Sequence, residues 1–128
     1  MSLPTAPRIQ TRSQQLAELA FKQVSQVDLQ TKGDKNAREK YIGFAKRFPS
    51  LIHSCGLAQA VAFAQSKAPD RFVNDLREVM NCDKQEPAFT AEIRSSDLPR
   101  YLQLSRTALQ AAGWLKRYAE AILDFEEN

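Results

Sequence analysis

The chain has 128 residues, of which 43% are hydrophobic and 26% charged, and its formal net charge is +3. This length fits one domain with its own core, and the composition is that of an ordinary globular protein. It has no run of about 18 apolar residues and no apolar N-terminal signal, so we expect no membrane span and a cytoplasmic location.

Helices are expected throughout the chain, because only four glycines and few clustered turn residues leave little room for hairpins. We predict an all-α fold, a compact single-domain bundle of five to six helices over residues 11–128. A flexible N-terminal tail is predicted at residues 1–10, which contain two prolines and no periodic pattern.

The first helix is predicted to begin near Thr11 or Ser13 and to run to about Asp28, since its apolar residues recur at helical steps. Residues 31–36, with the sequence TKGDKN, predict an exposed loop.

A proline and a glycine divide the next part of the chain. The second helix is predicted to begin at 36–37 and to end at Pro49, because the residue before a proline is pushed out of the helical region. A third helix, about 50–66, is apolar almost all round and is expected to be central in the bundle. Gly56 inside it lowers the helix propensity by about 1 kcal/mol relative to alanine, which indicates close approach of a neighbouring helix.

Two further helices are predicted after Pro69. The fourth ends near Asn81, and four of its charged residues predict a solvated surface of ion pairs: Arg71, Asp75, Arg77 and Glu78. Residues 82–96 are polar and irregular apart from a short helical turn. The last helix begins after a capping residue at 96–97 and covers 101–123, with Trp114 on its polar side.

The sequence lacks the combinations of residues that catalytic and metal sites need. His53 is the only histidine, which leaves a catalytic triad or a histidine metal cluster without partners. The glycines are isolated, so no phosphate-binding loop is present. Cys55 and Cys82 are expected to be reduced rather than bridged or metal-bound. We predict a protein that is not an enzyme and has no metal or cofactor.

Positive charge is concentrated at the N-terminal end of the chain. Residues 1–48 hold nine Lys and Arg against four Asp and Glu, whereas the rest holds nine against eleven. The asymmetry predicts one surface for an anionic partner and another for protein neighbours, although a merely solvated surface is an alternative. Seven basic residues are candidates for contacting RNA phosphates: Lys22, Arg38, Lys40, Lys46, Arg47, Arg106 and Arg117.

Two sequence blocks resemble a known family. Residues 41–63, YIGFAKRFPSLIHSCGLAQAVAF, combine a Tyr, an Ala-Lys pair, a Pro and a Gly-Leu before an alanine-rich turn. Residues 101–121 contain a Tyr, a Ser-Arg pair and the segment WLKRYAEA. Together they resemble the small subunit of the Cmr complex, the type III-B CRISPR RNA-silencing effector.

This resemblance implies a non-catalytic structural subunit of an RNA-guided ribonucleoprotein of antiviral defence, which stacks head to tail with copies of itself. Its implied partners are the backbone and large subunits of the complex, the crRNA and the target RNA. Five residues match basic positions of the two blocks and are expected to line the RNA side: Lys40, Lys46, Arg47, Lys116 and Arg117. Four others are expected in the core or at an interface: Tyr41, Gly56, Leu57 and Trp114.

Three alternatives stay open at this point. The chain could be a helical protein-interaction or nucleic-acid-binding adaptor whose basic patch is incidental. It could be a DNA-binding helix-turn-helix protein with its turn at 48–50, although the helix after that turn offers few polar side chains to a groove. A small enzyme is disfavoured by the missing acid–base and metal groups.

Overall fold

The computed structural model describes residues 9–124, and within this range the chain forms six α-helices, a π-helical turn and no strand. In chain order these are α1 (Arg12–Gln30), α2 (Lys35–Cys55), α3 (Leu57–Lys67), α4 (Phe72–Val79), α5 (Ala88–Ser95), α6 (Leu98–Tyr118) and the π-helical turn (Ala119–Leu123). The predicted all-α bundle of five to six helices is confirmed. The predicted tail, residues 1–10, lies outside the described residues except for its last two.

The helices share one hydrophobic core. α6 packs against both α1 and α2, and α1 also packs against α4. Phe72 of α4 lies at the centre of an aromatic cluster, with its ring centroid 5.1 Å from those of Phe44 and Phe48. These three side chains are almost fully buried, so α2 and α4 are fixed relative to each other by contacts of large rings.

The prediction that a helix ends at Pro49 is wrong. α2 continues through Pro49 to Cys55, and the neighbouring Phe48 and Ile52 are both buried. Core packing of these side chains offsets the cost of a proline inside a helix. The alternative of a helix-turn-helix with its turn at 48–50 is wrong for the same reason, because these residues lie within one continuous helix.

Gly56, rather than Pro49, separates the two helices. Its φ of 85° and ψ of 162° fall in a region that residues with a Cβ rarely adopt, so the prediction that Gly56 lies inside a helix is wrong. A neighbouring helix does approach it, since a Cβ at Gly56 would lie 3.4 Å from the Tyr101 hydroxyl of α6. That hydroxyl accepts a hydrogen bond from the Ala58 N–H at 3.0 Å and thereby caps the start of α3.

α3 is not the central helix that its apolar sequence predicts. Leu57, Val61 and two alanines face the core, whereas Phe63 on another side is 40% exposed. The region 82–96, predicted to be irregular apart from one turn, contains α5, which is anchored by the buried Phe89 and Ile93.

The charged residues of α4 do not form the predicted solvated surface. Asp75 is 0% exposed, and its carboxylate accepts hydrogen bonds from the Tyr41 hydroxyl at 2.6 Å and the Gln23 amide at 2.8 Å. Arg71 donates to both of its oxygens, at 2.8 and 2.7 Å. Burial, reinforced by the Asp75 charge, raises the pKa of Tyr41 well above its ordinary value. This buried cluster ties α1, α2 and α4 together.

Candidate nucleic-acid interface

Two of the predicted RNA-contacting residues have internal partners. Arg38 pairs with Asp28 at 2.7 Å, and its Nε donates to the Leu123 carbonyl at 3.0 Å. Lys46 donates to the Asp124 carboxylate at 2.8 Å, and this hydrogen bond raises the pKa of Lys46. An RNA phosphate would compete with these partners for both cations. Their role in RNA contact stays a prediction.

A groove between α2 and the residues joining α3 to α4 brings three other cations together. Lys40 and Arg47 line it from α2, two helical turns apart, and Lys67 lines it from the end of α3. We call it the α2–α3 groove; its volume is about 640 Å³ and its full lining is Asp34, Asn36, Ala37, Glu39, Lys40, Gly43, Phe44, Arg47, Lys67, Ala68 and Pro69. Within residues 9–124, none of the three cations forms an ion pair.

The charges of the α2–α3 groove are unevenly placed. Its two acids, Asp34 and Glu39, come from the N-terminal end of α2, and Asp34 caps that helix by accepting from the Ala37 N–H at 3.1 Å. Arg47 lies further along α2, where its guanidinium carbon is 5.6 Å from the centroid of the Phe44 ring. This cation–π contact holds the guanidinium against the groove wall.

A second groove is lined by arginines. Its volume is about 430 Å³, and it is lined by Arg12, Arg100, Gln103, Arg106, Thr107 and Gln110, with no carboxylate. Arg12 donates to the Thr107 hydroxyl at 2.7 Å, and Arg100 donates to Glu92 at 2.9 Å, which lowers the pKa of Glu92. We call it the arginine groove.

Two exposed leucines flank Arg100 of the arginine groove along α6. Leu98 is 67% exposed and Leu102 is 51% exposed. With Arg106 they follow one another at steps of four residues, which places all three on the same side of the helix. Arginine beside exposed apolar side chains is a composition typical of protein–protein interfaces.

Comparison with known proteins decides the family. The family model described as "CRISPR-associated protein (Cas_Cmr5)" matches residues 12–122. The chain belongs to the Cmr5 family. The resemblance to the small subunit of the Cmr complex, inferred from the two sequence blocks, is thereby confirmed.

Individual relatives agree with this membership. The "CRISPR system Cmr subunit Cmr5" of Thermus thermophilus is 36% identical over 120 residues, covering 91% of this chain and 99% of the relative. The protein of the same name from Thermotoga maritima is 29% identical over 124 residues, with coverages of 94% and 92%. The crystal structure of a Cmr5 family protein from Thermus thermophilus superposes with a TM-score of 0.77, at 31% identity, covering 90% of this chain and 99% of the other.

The other predicted site residues of this Cmr5-family chain lie apart from the α2–α3 groove. Lys22 is exposed on α1, Lys116 is half-buried on α6, and Arg117 is exposed beside Trp114. The Trp114 ring packs on the edge of the core and stacks on Tyr118 at a centroid distance of 5.8 Å. Two other predicted core or interface residues are fully buried: Tyr41 and Leu57.

Three basic residues of the two grooves were missed by the sequence analysis: Arg12, Lys67 and Arg100. Lys67 follows the predicted third helix, about 50–66, whereas in the structure it is the last residue of α3 and its spacing of four from Phe63 places both on one helix side. No local signal connects Arg12 with the arginines of α6, because their proximity depends on the packing of α1 against α6.

Within residues 9–124, no group of three or more His, Cys, Asp and Glu side chains could hold a metal ion. No helix in the same range is long and apolar enough to cross a membrane. His53 is exposed, and Cys55 and Cys82 are free thiols.

Proposed function

We propose that this chain is a non-catalytic structural subunit of a type III-B CRISPR RNA-guided ribonucleoprotein that targets RNA in antiviral defence. In that complex it stacks with copies of itself, joins the backbone and large subunits, and supports the target RNA through basic side chains. The observation that carries the proposal is the α2–α3 groove of a Cmr5-family chain, where no carboxylate of residues 9–124 pairs with Lys40, Arg47 or Lys67.

The mechanism is electrostatic support of the RNA backbone. Lys40 and Arg47 are separated by seven residues of α2, or about 10 Å along the helix axis, so they contact different phosphates. Lysine acts as a point charge and arginine as a fork that can donate two hydrogen bonds to one phosphate. Such contacts do not depend on base sequence, and they weaken as salt concentration rises.

The arginine groove is proposed as the face for a protein neighbour in the same complex. Its side of α6 presents Leu98 and Leu102 to solvent, at 67% and 51% exposure, next to Arg106. A partner with acidic and apolar side chains fits this combination better than an RNA backbone, which offers nothing for the leucines to contact. The sequence instead predicts that Arg106 contacts RNA, and the substitution Arg106→Glu distinguishes these two roles.

Charge reversal in the reconstituted effector tests the RNA contact. The variant Lys40→Glu/Lys67→Glu is incorporated into the complex, and its dissociation constant for target RNA is measured over a salt series. We expect weaker binding, and a salt dependence whose logarithmic slope falls by about 0.7 for each lost phosphate contact. The matched control is Lys32→Glu/Arg94→Glu, which changes net charge equally at exposed positions outside both grooves.

The control separates the possible outcomes. Unchanged RNA affinity at low salt for Lys40→Glu/Lys67→Glu would refute RNA support by the α2–α3 groove and favour the adaptor with an incidental basic patch. An equal loss of RNA affinity in both double variants would show that only net charge matters, and it would also refute a defined RNA surface.

A further inference from the structure

Phe63 is a large aromatic side chain that the core does not cover. It lies on α3 and is 40% exposed, whereas Leu57, Val61 and Ala64 of the same helix are buried. Its ring is stacked on that of Phe44, with a centroid distance of 6.0 Å and an interplanar angle of 17°. Phe44 is itself 2% exposed, so the core fixes the orientation of the ring on which Phe63 stacks.

The cations of the α2–α3 groove line the same groove as Phe44 of this stacked pair. Arg47 contacts the Phe44 ring, with the guanidinium carbon 5.6 Å from its centroid. Lys67 lies four residues after Phe63, one turn further along the same side of α3. Lys40 lines the groove from α2, as Phe44 does. An exposed aromatic ring beside a basic groove is the arrangement by which proteins bind single-stranded nucleic acids, with bases on the ring and phosphates in the groove.

The surroundings of Phe63 disfavour a hydrophobic protein contact. A docking patch for an apolar partner needs several adjoining apolar side chains. On the exposed part of α3, Phe63 is accompanied by five residues, of which only the small Ala62 is apolar: Gln59, Ala62, Gln65, Ser66 and Lys67. A flat aromatic ring within a polar, basic rim suits a nucleobase, which presents a flat face for stacking and polar edges to water.

We propose that Phe63 is the stacking platform for one unpaired nucleobase of an RNA strand whose phosphates are contacted by Lys40 and Lys67. Because the platform adjoins the groove proposed above to hold RNA, it depends on that function. The stack is indifferent to base identity, since every base has a π-face, but it requires a base to be present.

RNAs with and without bases provide the test. The full-length chain is titrated at low salt with a fluorescent oligoadenylate of about 12 nucleotides, and separately with an abasic ribose-phosphate strand of equal length. Phe63→Leu is expected to weaken oligoadenylate binding by about 5- to 100-fold and to leave abasic-strand binding unchanged. Phe63→Trp is expected to retain the wild-type affinity for both, because it keeps a ring at this position.

Two control variants complete the design. Phe21→Leu alters another exposed phenylalanine, 52% exposed on α1 and outside the α2–α3 groove, and is expected to bind both strands like the wild type. Lys40→Glu is expected to weaken binding of both strands equally, since both carry phosphates. Thermal unfolding of each variant establishes that it is folded before binding is compared.

Failure of the stacking platform can be distinguished from failure of the proposed function. If Lys40→Glu weakens the binding of both strands, and Phe63→Leu weakens the binding of neither strand or of both equally, the platform is refuted and the phosphate contacts stand. If the wild-type chain binds neither strand at low salt, the platform is refuted, and the reconstituted effector alone decides on RNA support. If Phe63→Leu instead prevents incorporation into the complex while RNA binding is unchanged, Phe63 is a protein contact and the platform is refuted.

Discussion

Tyr41→Phe removes a single hydroxyl group from the buried cluster around Asp75. The hydroxyl donates to the carboxylate at 2.6 Å, and both residues are at most 1% exposed. A hydrogen bond to a charged group contributes about 1.5–3 kcal/mol to stability. Phenylalanine keeps the contact between the ring and Phe72, whose centroid lies 5.7 Å away, so the ring packing is preserved. We expect the free energy of unfolding to fall by about 1.5–3 kcal/mol.

Urea and thermal denaturation measure this loss. For a chain of 128 residues, a destabilisation of 1 kcal/mol lowers the melting temperature by about 4 °C, so Tyr41→Phe should lower it by about 6–12 °C. Tyr118→Phe is the matched control, because the Tyr118 ring stacks on Trp114 and its hydroxyl has no hydrogen bond to residues 9–124. Its expected effect is below about 0.5 kcal/mol. Equal destabilisation by the two substitutions would refute the importance of the bond to Asp75.

The raised pKa of Tyr41 gives the same variant a pH signature. Burial, with the Asp75 charge as the second cause, raises this pKa in the folded chain above the ordinary value of about 10. The folded chain therefore keeps the hydroxyl proton at pH values where the unfolded chain releases it. The stability contributed by Tyr41 is fully present below about pH 10 and is lost as the pH rises further. The stability difference between wild type and Tyr41→Phe should shrink above about pH 10, and a constant difference would contradict the assignment.

Further substitutions test the helix junction and the arginine groove. Gly56→Ala should lower the free energy of unfolding by about 1–3 kcal/mol because of its φ of 85°. Gly113→Ala is the control, because a Cβ at Gly113 would meet nothing within 4 Å; it should be neutral or stabilising by up to about 1 kcal/mol. Equal urea midpoints for the two variants would refute the strain at Gly56. Tyr101→Phe should cost about 1 kcal/mol and speed hydrogen exchange of the Ala58 amide, and unchanged exchange would contradict the cap. Arg106→Glu should weaken incorporation of the subunit into the reconstituted complex, measured by size-exclusion chromatography, while normal incorporation with weaker RNA binding would favour the sequence-based assignment.

The sequence predicts the fold where local pattern and core packing agree. The apolar positions Leu16, Ala20, Val24 and Val27 keep a helical period, and all four are buried on α1. At Pro49 the local rule fails, because buried neighbours on both sides hold the helix together. The relevant force there is tertiary, and a proline rule applied to sequence alone does not include it.

The same reason explains the wrong prediction for Asp75. Arg71, the residue before α4, and Asp75 within it are four residues apart, a spacing that is typical of an exposed ion pair. Burial comes from elsewhere in the chain, since Gln23 of α1 and Tyr41 of α2 both donate to this carboxylate. A helix taken alone shows which residues share a side, but not which neighbouring helices cover that side.

Charge counted along the sequence also differs from charge that a partner can use. The excess of basic residues in 1–48 indicates an anionic partner, yet Arg38 and Lys46 of this segment are bonded to residues at the other end of the chain. Lys67, from the slightly acidic remainder, joins Lys40 and Arg47 in the α2–α3 groove. Internal pairing therefore occupies Arg38 and Lys46, whereas Lys40 and Arg47 of the same segment join Lys67 on a surface formed by α2 and α3. The test of RNA binding therefore substitutes Lys67 and not Lys46, whose ammonium group is bonded to Asp124.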